Sequence, residues 1–176
     1  MKINQINFSY SPLEDRLLFR LNTLDKTEFR MWLTRAICIK LLGHLHRVVK
    51  TDLQREQPGL GQAAMQTVEE FRCEAVLAKT DFVKSFSPEA ETFPFGPQPI
   101  LVVDIVMDSS RQTSVATFRL AIGQEINLSL DHNLGVAITI RKLLSDVVDG
   151  LDWGVEAAKE LPIAGTGNLG EKMMFH

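Results

Sequence analysis

Hydrophobic and polar residues alternate in three short runs at the start of the chain. The runs cover residues 3–10, 16–23 and 27–33, and in each of them every second residue is apolar over most of the run. A period of two predicts half-buried strands. Short polar turns separate the runs, so we expect the three strands to form an antiparallel meander.

The period changes directly after the third run. Apolar residues recur every three or four positions from Ile37 to Val48, which predicts an amphipathic helix that ends near residue 55. Thr34 precedes this helix and is a residue type that caps helix N-termini. A second helix is predicted over 61–83, after the break at Pro58 and Gly59.

The late part of the chain repeats this order. Alternating runs over 100–107, 112–122 and 124–130 are followed by a helical pattern over 133–153. Each meander has an apolar face, and the helices are the elements available to cover it. We therefore predict an α+β fold of two antiparallel three-stranded meanders packed against helices, in the order β-β-β-α-α-β-β-β-α.

The repeat bears on domain organisation. A chain of 176 residues fits a single domain over 1–176, and the repeated order suggests two related halves, 1–56 and 99–153. A helix and a loop over 84–99 join them, and this loop holds four of the seven prolines and three phenylalanines. We interpret it as a crossover; the alternative is a hinge or a partner-binding loop.

Charge is spread unevenly between the two parts. The whole chain carries a net charge of −3, which argues against a bulk attraction to nucleic acid or to an acidic membrane. Residues 1–56 hold ten Lys+Arg and six Asp+Glu, a net of +4, whereas residues 57–176 hold nine and sixteen, a net of −7. Faces of opposite sign favour docking within the fold or across a homodimer.

Features of the sequence predict a cytoplasmic protein that does not enter a membrane. No run approaches the roughly 20 apolar residues that a spanning helix needs, and the first residues lack the apolar core of a signal peptide. The two cysteines, Cys38 and Cys73, lie in helical patterns without a C-x-x-C partner, as expected for free thiols.

The outer face of the first meander is the candidate binding site. Arg16, Arg20 and Arg30 are predicted to lie there beside Trp32. Arginines next to an exposed aromatic ring can hold phosphates while bases stack on the ring, which is how single-stranded nucleic acid is bound. The alternatives are a solvated face neutralised by Asp15 and Glu28, and a docking face. The outer face of the second meander is mostly acidic, with Asp104, Asp108, Arg119 and Glu125.

The sequence offers little support for a catalytic or metal-binding site. His44 and His46 would point about 200° apart on a helix and cannot share a metal. The segment 165–170 reads G-x-G-x-x-G, but it neither follows a clear strand nor opens a helix, so a flexible tail is favoured over a dinucleotide site. We assign no catalytic residue, metal or cofactor; an enzyme with its site at 84–99 is an alternative.

One stretch resembles a known group of proteins. The run Asp15-Arg16-Leu17-Leu18-Phe19-Arg20, followed by Glu28-Phe29-Arg30-Met31-Trp32-Leu33-Thr34-Arg35, is similar to the opening of a group of uncharacterised proteobacterial proteins. The resemblance covers about the first 40 residues. It implies a bacterial cytosolic origin and carries over no catalytic or binding residue.

These patterns together favour a non-enzymatic binding or interaction protein that forms a homodimer. A protein partner of another kind is compatible with the same faces. The alternative function is single-stranded nucleic-acid binding through the Arg/Trp face.

Overall fold

The computed structural model describes residues 2–78, 86, 90–109, 114–130, 134–151 and 153. These residues form six strands and three helices in the predicted order, which makes the fold α+β. The elements are β1 (Ile3–Ser11), β2 (Arg16–Thr23), β3 (Glu28–Thr34), α1 (Arg35–Glu56), α2 (Gln62–Leu77), β4 (Ile100–Ser109), β5 (Ser114–Leu120), β6 (Glu125–Ser129) and α3 (Gly135–Asp149).

Some predicted features fall outside the described residues. They are the predicted C-terminal tail with its G-x-G-x-x-G segment 165–170, the end of the second predicted helix over 79–83, and most of the crossover between 84 and 89. No helix of the described part of the chain is long and apolar enough to cross a membrane.

The six strands lie in one sheet in sequence order, from β1 to β6. Both meanders are antiparallel, as predicted, but β3 and β4 are parallel. This junction is short, because only Met31 with Ile100 and Trp32 with Leu101 are paired. Parallel neighbours require a long crossover, and here α1, α2 and the following loop supply it.

The sheet curls so that its two meanders share one core. The Phe19 ring on β2 stacks on Phe8 at 4.5 Å and lies 5.8 Å from the Phe118 ring on β5. In a flat sheet, β2 and β5 would be three steps of about 4.8 Å apart. The curl brings their inner side chains together, and α1 and α3 pack on this concave side against β1 to β4.

Helix α1 forms as its sequence pattern predicts. The Thr34 hydroxyl accepts a hydrogen bond from the Ile37 backbone N–H at 3.4 Å, which caps the first turn. One stripe of the helix faces the core, and its buried members are Ile37, Cys38, Leu41, Leu42, Leu45, Val48, Val49 and Leu53.

Three apolar positions are more exposed than the periodicity predicted. Helix α2 packs on α1 and α3 and not on the sheet, so Phe71 on its far side is 73% exposed. The alternation of the run over 112–122 predicts that Ile122 points inward, as Leu120 does, but β5 ends at Leu120 and Ile122 lies exposed in the following turn. The consecutive apolar residues Leu101, Val102 and Val103 predict a central strand that is covered on both faces, yet Val103 lies at an irregularity in β4 and is exposed.

Candidate functional site

The crossover returns along the basic face of the first meander. Thr27 and Thr92 form a parallel bridge, and the Glu28 backbone N–H donates to the Thr92 carbonyl at 2.9 Å. From Thr92 to Ile100 the crossover advances eight residues, whereas β3 covers the same distance, from Thr27 to Met31, in four. The crossover therefore loops away from β3 between these two points. This excursion places phenylalanine side chains beside the sheet.

Glu28 is the centre of an ion cluster on the outer face. Its side chain is buried, and Oε1 accepts from the Arg20 Nε at 2.9 Å and the Arg30 Nε at 2.7 Å. Burial alone would raise the pKa of this carboxyl, but the bonds from both guanidinium groups and their charges hold the pKa below its usual value. Oε2 is buried without a hydrogen-bond partner among the described residues.

Aromatic rings of the crossover cover both arginines. The Arg20 guanidinium carbon lies 4.0 Å from the centre of the Phe86 ring, and that of Arg30 lies 4.6 Å from the centre of the Phe93 ring. These are cation–π distances. Arg30 also donates from Nη1 to the Pro97 carbonyl at 2.8 Å. The two arginines therefore attach the crossover to the sheet.

The four predicted site residues lie on the same side of the sheet, in successive rows. Arg20 and Arg30 are directly opposite each other, and the next row pairs Leu18 with Trp32. Arg16 lies one row further on and forms an ion pair with Glu14 at 3.8 Å. Trp32 is half-buried. The alternation of the strands predicted this common face, but not the burial of Glu28 or the phenylalanines over the arginines.

An apolar patch crosses the middle of the outer face. Leu18, Trp32 and Leu101 are adjacent on β2, β3 and β4 and are each partly exposed. Val103 and Val106 continue along β4, with 54% and 37% of their surface exposed. We call these five residues the outer apolar patch. Exposed apolar clusters of this kind commonly mark interaction surfaces.

The second meander carries a chain of ion pairs beside this patch. Asp104 Oδ1 lies 2.5 Å from the Lys40 Nζ, and its Oδ2 lies 3.4 Å from the Arg119 Nη1. Arg119 also contacts Glu125, at 3.1 Å. The hydrogen bond from Lys40 holds the pKa of the Asp104 carboxyl below its usual range, and the positive charges of Lys40 and Arg119 act in the same direction. The Asp104 carboxylate is therefore ionised at neutral pH.

Comparison with protein-family models, with curated proteins and with solved structures gives no match. The function therefore has to be inferred from the chemistry of these surfaces.

Proposed function

We propose that this chain is a non-enzymatic cytoplasmic binding protein that acts as a homodimer, with the outer apolar patch at the centre of the dimer interface. The observation that carries the proposal is the exposure of Val103 and Val106 next to Leu18, Trp32 and Leu101 on one sheet face. Burying these side chains would remove apolar surface from water, which is the main driving force of association.

Charge complementarity supports a second copy as the occupant of this face. On the side of the first meander, three basic groups and two acidic groups give a net of +1: Arg16, Arg20 and Arg30 with Glu28 and with Glu14, the ion-pair partner of Arg16. On the side of the second meander, three acidic groups and two basic groups give a net of −1: Asp104, Asp108 and Glu125 with Arg119 and with Lys40, the ion-pair partner of Asp104. A two-fold axis that lies in the interface and runs parallel to the strands would place each basic side over the partner's acidic side.

The state of Glu28 argues against this residue as a catalytic acid or base. A general acid or base works best with a pKa near the operating pH. The pKa of Glu28 is held low by Arg20 and Arg30 instead, and the same two arginines hold the crossover in place. The cluster therefore suits a structural role. The free thiols of Cys38 and Cys73 fit the reducing conditions of the cytoplasm.

The homodimer is tested by sedimentation equilibrium at micromolar concentration. We expect a dimer, and Val103→Glu should raise its dissociation constant at least about tenfold, because it buries an unpaired charge in the interface. The matched control is Leu13→Glu, at an exposed position in the β1–β2 turn, which should leave the dimer intact. A wild-type chain that stays monomeric, or equal effects of the two variants, would contradict the proposal.

Single-stranded nucleic-acid binding is the second candidate function. It is favoured by the position of Trp32, which is half-buried in the row between Arg16 and the Arg20–Arg30 pair. If it holds, a thymidine oligonucleotide should quench tryptophan fluorescence at low salt, and the affinity should fall steeply as salt is added. Trp32→Ala and Arg20→Ala should each weaken binding, with Arg55→Ala on α1 as the control. Absence of binding at low salt would remove this candidate.

A further inference from the structure

A cavity of about 200 Å³ lies between α1 and β4, on the helix side of the sheet and away from the outer apolar patch. Its walls combine three polar side chains with two apolar ones: His44, Arg47, Thr51, Val48 and Met107. Four of the lining residues belong to α1: His44, Arg47, Val48 and Thr51. They are spaced by three, one and three positions, so they share one face of the helix.

The cavity exists because β3 and β4 separate after their short junction. The chain turns from Thr34 directly into α1, so α1 lies beside β4 from this point on. The Ile105 backbone N–H donates a hydrogen bond to the Asp104 carboxylate. The Ile105 carbonyl faces the His44 ring. In an antiparallel strand, alternate residues turn their backbone groups to the same edge. The backbone of Met107 therefore faces the cavity.

Arg47 brings a positive charge to the cavity without a counter-charge. Its guanidinium donates to the His44 Nδ1 at 2.6 Å and to the Gly43 carbonyl at 3.3 Å, and both acceptors are neutral. Within the described part of the chain, no carboxylate lies within ion-pair distance of Arg47. Lys40, two turns earlier on the same face, is in contrast paired with Asp104.

His44 is held in its neutral form. Burial lowers its pKa, and the positive charges of Arg47 and Lys40 lower it further, while the Ile105 carbonyl and the Asp104 carboxylate act in the opposite direction. Because its Nδ1 accepts from Arg47, the ring fixes the position of the guanidinium. The cavity thus holds one oriented cation, one hydroxyl and an apolar wall.

We propose that this cavity binds a small organic carboxylate. Arg47 would hold the carboxylate through its planar fork of N–H groups, with the Thr51 hydroxyl as a further donor, and a short apolar chain would pack on Val48 and Met107. One unpaired cation matches a monoanion, whereas a phosphate dianion would call for more positive charge than the site has. The volume is below that of sites for drug-sized ligands, so the ligand has only a few carbon atoms.

The proposal is tested with butyrate as the probe, followed by NMR of the full-length protein. Saturable shifts of the Met107 methyl and the His44 ring are expected, together with a rise in the pKa of His44, because the bound carboxylate offsets the charge of Arg47. Arg47→Gln should weaken butyrate binding at least about tenfold. Lys50→Gln, an exposed cation on the same helix, should bind as the wild type does.

Control titrations use inorganic phosphate and sodium chloride at matched ionic strength, and both should give smaller shifts than butyrate at these two side chains. The proposal is overturned by shifts that do not saturate, by an Arg47→Gln variant that binds as well as the wild type, or by phosphate shifts that exceed those of butyrate. The outcome does not depend on the dimer, since the cavity and the outer apolar patch lie on different sides of the sheet.

Discussion

Replacing Phe19 by alanine is expected to lower the free energy of unfolding by about 3–5 kcal/mol, as found for aromatic residues in well-packed cores. The Phe19 side chain is fully buried. It stacks on Phe8 at 4.5 Å and lies 5.8 Å from Phe118, so it joins the cores of the two meanders. Its removal would leave a cavity at their junction, which the curled sheet cannot easily close.

The measurement is urea unfolding, followed by circular dichroism. We expect a lower midpoint with an unchanged dependence on urea concentration, because the surface exposed on unfolding stays similar. Phe71→Ala is the matched control: its ring is mostly exposed on α2, so its effect should stay within about 0.5 kcal/mol. Equal effects of the two substitutions would contradict the packing of Phe19 between the meanders.

Replacing Glu28 by glutamine is expected to have the next largest effect, a loss of about 3 kcal/mol. The change keeps the shape of the side chain but leaves Arg20 and Arg30 without their shared counter-charge. Breaking a buried ion pair costs about 3–5 kcal/mol. We expect the lower end of this range because water can still solvate the two arginines: their side chains keep 22% and 26% of their surface exposed.

The effect of Glu28→Gln should depend on pH. The pKa of Glu28 is lower in the folded protein than its ordinary value of 4.5, so the ionised carboxylate contributes stability above that value. This contribution is lost as the pH falls through the folded pKa. The difference in unfolding free energy between wild type and Glu28→Gln should therefore be largest at neutral pH. It should shrink as the pH falls below about 4.5.

Glu14→Gln provides the control for this experiment. Glu14 pairs with Arg16 at 3.8 Å at the surface, and exposed pairs of this kind contribute about 0–1 kcal/mol. A difference for Glu28→Gln that stays constant down to strongly acidic pH would show that the charge of Glu28 does not stabilise the fold.

The order of elements was predictable because it follows from local periodicity. Period two marks β1, β2 and β3, and the shift to a period of 3.6 after Thr34 marks α1. The common side of Arg16, Arg20, Arg30 and Trp32 follows from the same alternation and is confirmed by the register of β2 and β3. Each of these features depends only on residues that are close together in the chain.

Burial along a strand or helix was harder to predict, because it depends on what packs against each face. Phe71 has the periodicity of a core residue, yet α2 rests on the other helices and leaves it exposed. Val103 has the composition of a covered central strand, but β3 pairs with only two residues of β4. Glu28 shows the reverse, since a charged residue expected in water is buried between two arginines.

The sequence by itself determined the strands, the helices, their order and the sides on which their residues lie, because hydrogen bonding and amphipathic periodicity act over a few residues. Only the tertiary structure decided the parallel junction of β3 and β4, the phenylalanines of the crossover over Arg20 and Arg30, and the cavity between His44 and Met107. These features join residues that are far apart in the chain, and their positions follow from the path of the crossover and the curl of the sheet.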